Sequence, residues 1–131
     1  MIAMDPDVLI LDEPTAGLDP RGRNVLLNQL SRYHRERHNT VLLVSHSMED
    51  IARVADRVLV MNGGKAAMLD KTAAVFARGR ELESMGLRVP EITKILLLLR
   101  EQGYPLEPAL TVGGAVDELL PLLKRGGAAH D

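Results

Sequence analysis

The stretch VLILDEPTAGLDP, residues 8–20, decides how this chain is read. Four apolar residues, Val8 to Leu11, run directly into two carboxylates, Asp12 and Glu13. Pro14 and Gly17 then break any continuing strand, and Asp19-Pro20 has the form of a helix start, with an N-cap acid before a proline at the first helical position. A short unbroken apolar run bounded by turn residues suits a strand buried on both faces, as in a parallel sheet. The acids would then leave the carboxyl end of that strand.

Working outward, Val41-Leu42-Leu43-Val44 and Val58-Leu59-Val60-Met61 repeat the pattern. Between them, Leu26, Leu30 and Tyr33 recur at helical spacing after Pro20, with Asn39 as the expected stop. Ser47 can cap a shorter helix through Met48, Ile51, Ala52 and Ala55. The order strand–helix–strand–helix–strand is that of a parallel α/β sheet. Asn62-Gly63-Gly64 predicts a hairpin, with Lys65–Leu69 returning antiparallel at the sheet edge. Beyond residue 71 the character becomes helical. Thr72 is expected to cap a helix through Val75 and Phe76, Gly79 and Gly86 to punctuate a polar link, and Pro90 to precede a helix over 91–100 that stops at Gly103. Thr111 is expected to cap a last helix carrying Val112, Val116, Leu119, Leu120 and Leu123. Pro121 should kink or end it, and 126–131 should be a disordered tail. Ile92, Ile95, Leu96 and Leu99 form one stripe, which could either meet a partner or pack on the chain's own α/β part.

Composition narrows the function classes. The chain has 131 residues, 46% of them hydrophobic, and a formal charge of −2, so it can bury a core and carries no basic footprint for nucleic acid. The basic run 32–38 fits a helix C-terminus. The absence of cysteine removes thiolate metal sites and disulfides. Asp5 and Pro6 interrupt the N-terminus before an apolar run forms, so a secretory leader is not expected. Ile95–Leu99 is far short of the ~20 residues a membrane span needs.

Ligands of open α/β sheets gather beyond the carboxyl ends of the strands. Asp12 and Glu13 leave the first strand there, and Ser45 and His46 leave the second. If the strands are neighbours, two carboxylates and an imidazole converge on one crevice. Mg²⁺ takes oxygen ligands and keeps several waters, so a single carboxylate suffices to hold it beside phosphates. An adjacent acid can orient an attacking water. Taken singly these residues say little: acids often open a loop after a strand, and a lone histidine there is usually solvated.

Together, D-E-P-T-A-G-L-D-P after an apolar strand and S-H at the end of the next resemble the ATP-binding cassette (ABC) ATPases. The resemblance implies a P-loop NTPase fold, here a partial parallel sheet with flanking helices and a small helical C-terminal extension. It implies ATP and Mg²⁺ as cofactors, Asp12 as the Walker B acid that places Mg²⁺ through water, Glu13 as the catalytic base and His46 as the switch histidine at the γ-phosphate. Ala16, Gly17, Leu18 and Asp19 match the D-loop, with Asp19 reaching toward the site of a second ATPase. Residues 1–71 would be part of the nucleotide-binding domain and 72–131 the linker and extension.

Two family motifs are missing. No G-x-x-x-x-G-K-[ST] phosphate loop exists: the only Gly-Lys is Gly64-Lys65, with Leu59 and Ala66 where glycine and a hydroxyl residue should be. The Leu-Ser-Gly-Gly-Gln signature is also absent. The resemblance therefore covers the C-terminal part of such a protein, with Met1–Met4 ending the helix before Walker B. By itself such a chain should neither bind ATP tightly nor hydrolyse it. The stretches HSMEDIARVADRVLVMNGGK, ELESMGLRVPEITKILLLLREQG and LTVGGAVDELL resemble the ATPase subunits of energy-coupling-factor (ECF) transporters, which import vitamins or metal ions such as cobalt or nickel. That implies a second ATPase subunit, identical or not, a membrane-embedded coupling subunit, a substrate-binding subunit, and a place on the cytoplasmic face of the cell membrane. An ABC-type ATPase outside transport, or a non-catalytic dimerisation piece, are the alternatives.

Overall fold

The computed structural model describes residues 5–128. The elements in chain order are β1 (Val8–Asp12), α1 (Pro20–Arg37), β2 (Thr40–Val44), α2 (Met48–Val54), β3 (Arg57–Asn62), β4 (Lys65–Lys71), α3 (Thr72–Phe76), α4 (Gly79–Ser84), α5 (Glu91–Glu101) and α6 (Val112–Ala128). The helix end expected at Met1–Met4 lies outside the described residues.

The first apolar run is a strand and pairs in parallel with the second, Val8 opposite Thr40 and Asp12 opposite Val44. The helix between them starts where the sequence places it: Asp19 accepts a hydrogen bond from the Gly22 amide at 2.8 Å. It ends one residue earlier than expected. His38, in the left-handed region at φ 53°, is the C-cap rather than Asn39. His34, Arg35 and Arg37 fill the last turn, so the basic run complements the helix dipole.

The third strand corrects the single-sheet expectation. β3 pairs antiparallel with β4 in a separate two-stranded sheet, and no ladder joins it to β1 or β2. Apolar runs specify burial but not which neighbour supplies it. Along β3 the pattern alternates: Val60 and its partner Met68 are buried, while Leu59, Met61 and Leu69 stand exposed on the other face. That is a hairpin with one face on a core. Its turn is as read, Gly63 and Gly64 both holding the positive φ that a two-residue turn of this hand demands.

The main core lies under this hairpin. Ile51, Ala52, Val60, Met68, Val75, Phe76, Leu82 and Val89 form one cluster. Thr72 is buried in the first turn of α3 rather than capping it. Its hydroxyl donates to the Ala55 carbonyl at 2.5 Å. The polar link expected around Gly79 is instead α4, which buries Leu82 and is stapled by the Arg78–Glu81 pair. A Cβ at Gly79 would lie 2.9 Å from Leu97 Cδ1 and 3.3 Å from Val89 Cγ2, so glycine here serves close packing rather than chain breaking.

A second cluster holds the end of the chain. Leu96, Leu106 and Ala115 are buried together, with Ile92, Leu99, Leu119 and Leu122 against them. The stripe on α5 therefore divides: Ile92, Leu96 and Leu99 pack on α6 and its approach, whereas Ile95 remains 48% exposed. The Thr111 hydroxyl caps α6 through the Gly114 amide at 3.1 Å. Pro121 neither ends nor stops that helix, which continues to Ala128. Pro121 is on the exposed side, so the carbonyl it leaves without an N–H can be reached by water. Gly126–Ala128 are thus helical rather than part of a disordered tail; residues 129–131 lie outside the described residues.

Candidate functional site

β1 and β2 deliver their last residues to the same edge. Asp12 ends β1 opposite Val44, and the next residue, Glu13, still donates its amide to the Val44 carbonyl at 2.8 Å. Glu13 then turns into the left-handed region, φ 47°, uncommon for a side chain with a Cβ. Such a conformation costs on the order of 1–3 kcal/mol and persists only where the surroundings enforce it. Here the enforcement is visible. The Glu13 carbonyl accepts from the Ala16 amide at 3.1 Å, closing a turn. One carboxylate oxygen, Oε1, accepts from the His46 amide at 2.9 Å and meets His46 Nδ1 at 2.7 Å.

This contact fixes a ring orientation. An ionised carboxylate only accepts, so the bond requires the proton on Nδ1 and leaves Nε2 facing away from Glu13. The His46 side chain is 87% exposed against 32% for the Glu13 side chain, so the pair lies at the surface with the ring toward solvent. Asp12 is exposed beside it, and no side chain of the described residues bonds to its carboxylate. A free carboxylate next to an engaged one suits a hydrated divalent cation, which needs one protein oxygen and accepts the rest from water and phosphate. Among the described residues no group of three or more His, Asp or Glu side chains could hold a metal without such outside ligands.

Ala16, Gly17, Leu18 and Asp19 follow as an exposed turn, with Gly17 at φ 77° and Leu18 donating its amide to the Thr15 carbonyl at 3.2 Å. Asp19, besides being exposed, caps α1 of its own chain.

Sequence reasoning missed the layer behind these residues. Asp50 is 3% exposed. Its Oδ2 accepts from the Thr15 hydroxyl at 2.7 Å and its Oδ1 from Arg23 Nε at 2.6 Å. Arg23 Nη2 also donates to the Ser47 hydroxyl. The Asp50 carboxylate holds the Arg23 guanidinium above its ordinary range, chiefly through this hydrogen bond. Ser47 does cap α2, its hydroxyl accepting from the Asp50 amide at 3.4 Å. The local signal misdirects: Ser47-x-x-Asp50 has capping-box spacing, which would send the acid back to its own helix start. Nothing at short range announces an arginine and a threonine from elsewhere in the chain.

Several known proteins are similar to this chain. The chain is 47% identical over 125 residues to the "energy-coupling factor transporter ATP-binding protein EcfA2" of Clostridium perfringens, covering 95% of this chain and 44% of that protein. It is 51% identical over 108 residues to the protein of the same name from Symbiobacterium thermophilum, covering 82% of this chain and 37% of that one. Among solved structures, cbiO1 of Clostridium perfringens, described as part of the ABC transporter complex cbiONQ, matches 75% of this chain and 38% of its own at 35% identity and a TM-score of 0.53. No protein-family model matches. The chain spans about half the length of the curated relatives it matches. By fold and by these likenesses, the chain belongs to the ABC ATPases, within the branch of energy-coupling-factor ATP-binding subunits.

Proposed function

We propose that this chain supplies the hydrolytic face of an ECF-type ATPase site. The observation that carries the reading is the 2.7 Å contact between Glu13 and His46, made across the ends of two parallel strands with Asp12 beside it. In this reading Asp12 holds Mg²⁺ through water, Glu13 takes the proton of the attacking water, and His46 presents Nε2 to the γ-phosphate. Mg²⁺, when bound, neutralises charge on the phosphates. The chain's own residues position the water and receive its proton. The exposed turn Ala16–Asp19 faces a second ATPase subunit. Residues 1–71 act as the nucleotide-binding part and 72–131 as linker and extension.

The larger setting belongs to the same proposal, as the family resemblance implies it: a peripheral subunit on the cytoplasmic side of a membrane complex, working with a membrane-embedded coupling subunit and a substrate-binding subunit to import a vitamin or a metal ion such as cobalt or nickel. Among the described residues no helix is long and apolar enough to cross a membrane.

No phosphate loop occurs in this sequence, so its amides and lysine must come from another polypeptide segment. The test is complementation. The purified chain alone should not turn over Mg-ATP. Co-expressed with the P-loop-bearing segment of a similar EcfA2 subunit, it should, and Glu13→Gln should lower the rate by roughly 10²–10⁴-fold, the usual contribution of a positioned base. Turnover by the chain alone, or turnover in the pair indifferent to Glu13→Gln, overturns the proposal. Pairing without turnover would favour a non-catalytic dimerisation piece.

A further inference from the structure

We infer that Asp50 is a positioning residue that joins the loop after Glu13 to the loop carrying His46. The inference rests on the ATPase reading for its consequence in turnover, but the joint itself is a matter of geometry.

Two loops must be held together for Glu13 and His46 to meet. Each leaves its strand and departs in a different direction, one into α1 and the other into α2. Backbone pairing ends with the bond between the Glu13 amide and the Val44 carbonyl. Beyond that point the register of the two loops depends on side chains. Thr15, two residues after Glu13, donates to Asp50 at 2.7 Å. Ser47, directly after His46, accepts from Arg23, which also donates to Asp50 at 2.6 Å. The bonds bracket the catalytic contact on both loops.

The energetics select Asp50 as the centre. It is the one charged side chain among the described residues that is buried. A buried carboxylate is costly unless paired and hydrogen-bonded. Here both oxygens are engaged, by a neutral hydroxyl and by a guanidinium that is itself only 36% exposed. Helix propensity or capping would be served equally well by an exposed acid in this first turn. A second clamp holds the same helices, with Arg53 of α2 donating to Asn24 at 2.5 Å and to Asn28 at 2.8 Å. Docking of α1 on α2 therefore does not depend on Asp50 alone, whereas the tie to Thr15 does.

The experiment reads the joint and the chemistry separately. In the full chain labelled with ¹⁵N, the His46 ring should show a protonated Nδ1, as the bond to Glu13 requires. Asp50→Asn and Thr15→Val should move the His46 ring signals toward the average of its two neutral tautomers, and Thr15→Ser, which keeps the hydroxyl, should restore them. If Asp50→Asn does not fold, Thr15→Val still decides, because it removes one donor at constant shape. In the complemented ATPase, Asp50→Asn and Thr15→Val should lower kcat roughly 10- to 100-fold, the scale of a small misplacement of reacting groups, with KM for Mg-ATP unchanged. Unaltered ring signals in Thr15→Val overturn the inference. So does a KM change with kcat intact. If the ring signals move as expected but the wild-type pair hydrolyses no ATP, the joint stands and the ATPase reading fails.

Discussion

The first fifty residues and the remainder of the chain are held together differently. Among the described residues, Leu27 and Leu30 are the only buried apolar side chains before Ile51; the other eleven run from Ile51 onward. The parallel pair that carries Asp12, Glu13 and His46 leaves Val8, Ile10, Leu42 and Val44 about half exposed on one face. The hairpin and helices after it close over Phe76, which is fully buried. The site thus stands on the part of the chain that contributes least to its own core. What fixes it locally is polar: the Glu13–His46 bond and the buried Asp50 behind it. Packing stabilises the second region, and hydrogen bonds align the first.

The largest effect should come from breaking the packed region. Phe76→Ala removes the biggest fully buried side chain of the main cluster. Such a truncation costs about 3–5 kcal/mol, and urea unfolding followed by circular dichroism should show the transition midpoint fall accordingly. A loss below about 1 kcal/mol, the size typical of a tolerated volume-conserving swap, would mean the cluster is far looser than the structure shows.

A smaller, more local effect is expected in the terminal cluster. Leu96 is fully buried with Leu106 and Ala115. Leu96→Ala should cost about 2–4 kcal/mol, read as early loss of protection from hydrogen exchange in α5 and α6 while α2 and β3 stay protected. That outcome separates the extension from the main core. Simultaneous loss in both would show them to unfold as one unit. The result also bears on the two readings of the stripe, since of its four residues Ile95 alone, 48% exposed, is left for a partner.

The sequence was most legible where the cause is local. Asp19 and Ser47 cap helices because a short oxygen side chain before a helical run reaches the first free amides. Gly63-Gly64 turns a hairpin because both positions need positive φ. The two strand ends could be matched because parallel neighbours bring equivalent ends together. Legibility failed where the cause lies at long range. The apolar run of β3 could not reveal that its partner is β4 alone. Gly79 read as a breaker because the approach of Leu97 and Val89 is invisible in sequence. Asp50 could not be singled out from sequence, because Thr15 and Arg23 reach it from 35 and 27 positions away.

The smallest effect sharpens the comparison most. Ile10 lies at the centre of β1 and is 64% exposed. Were β1 a self-sufficient core strand, Ile10→Thr would cost as much as an interior polar substitution, some 2 kcal/mol or more. On the open face it should change stability by less than about 0.5 kcal/mol, the range of surface substitutions, because threonine keeps the branched shape that suits a strand. The change should instead show in association. An open apolar sheet face is a contact surface in search of cover, so light scattering against concentration should find the wild-type chain more self-associating than Ile10→Thr. A strong destabilisation with no change in association would mean the face is already covered within the chain, and the contrast between the two regions would collapse. A shift in association with stability intact would establish that the strands bearing Asp12, Glu13 and His46 are completed from outside this chain.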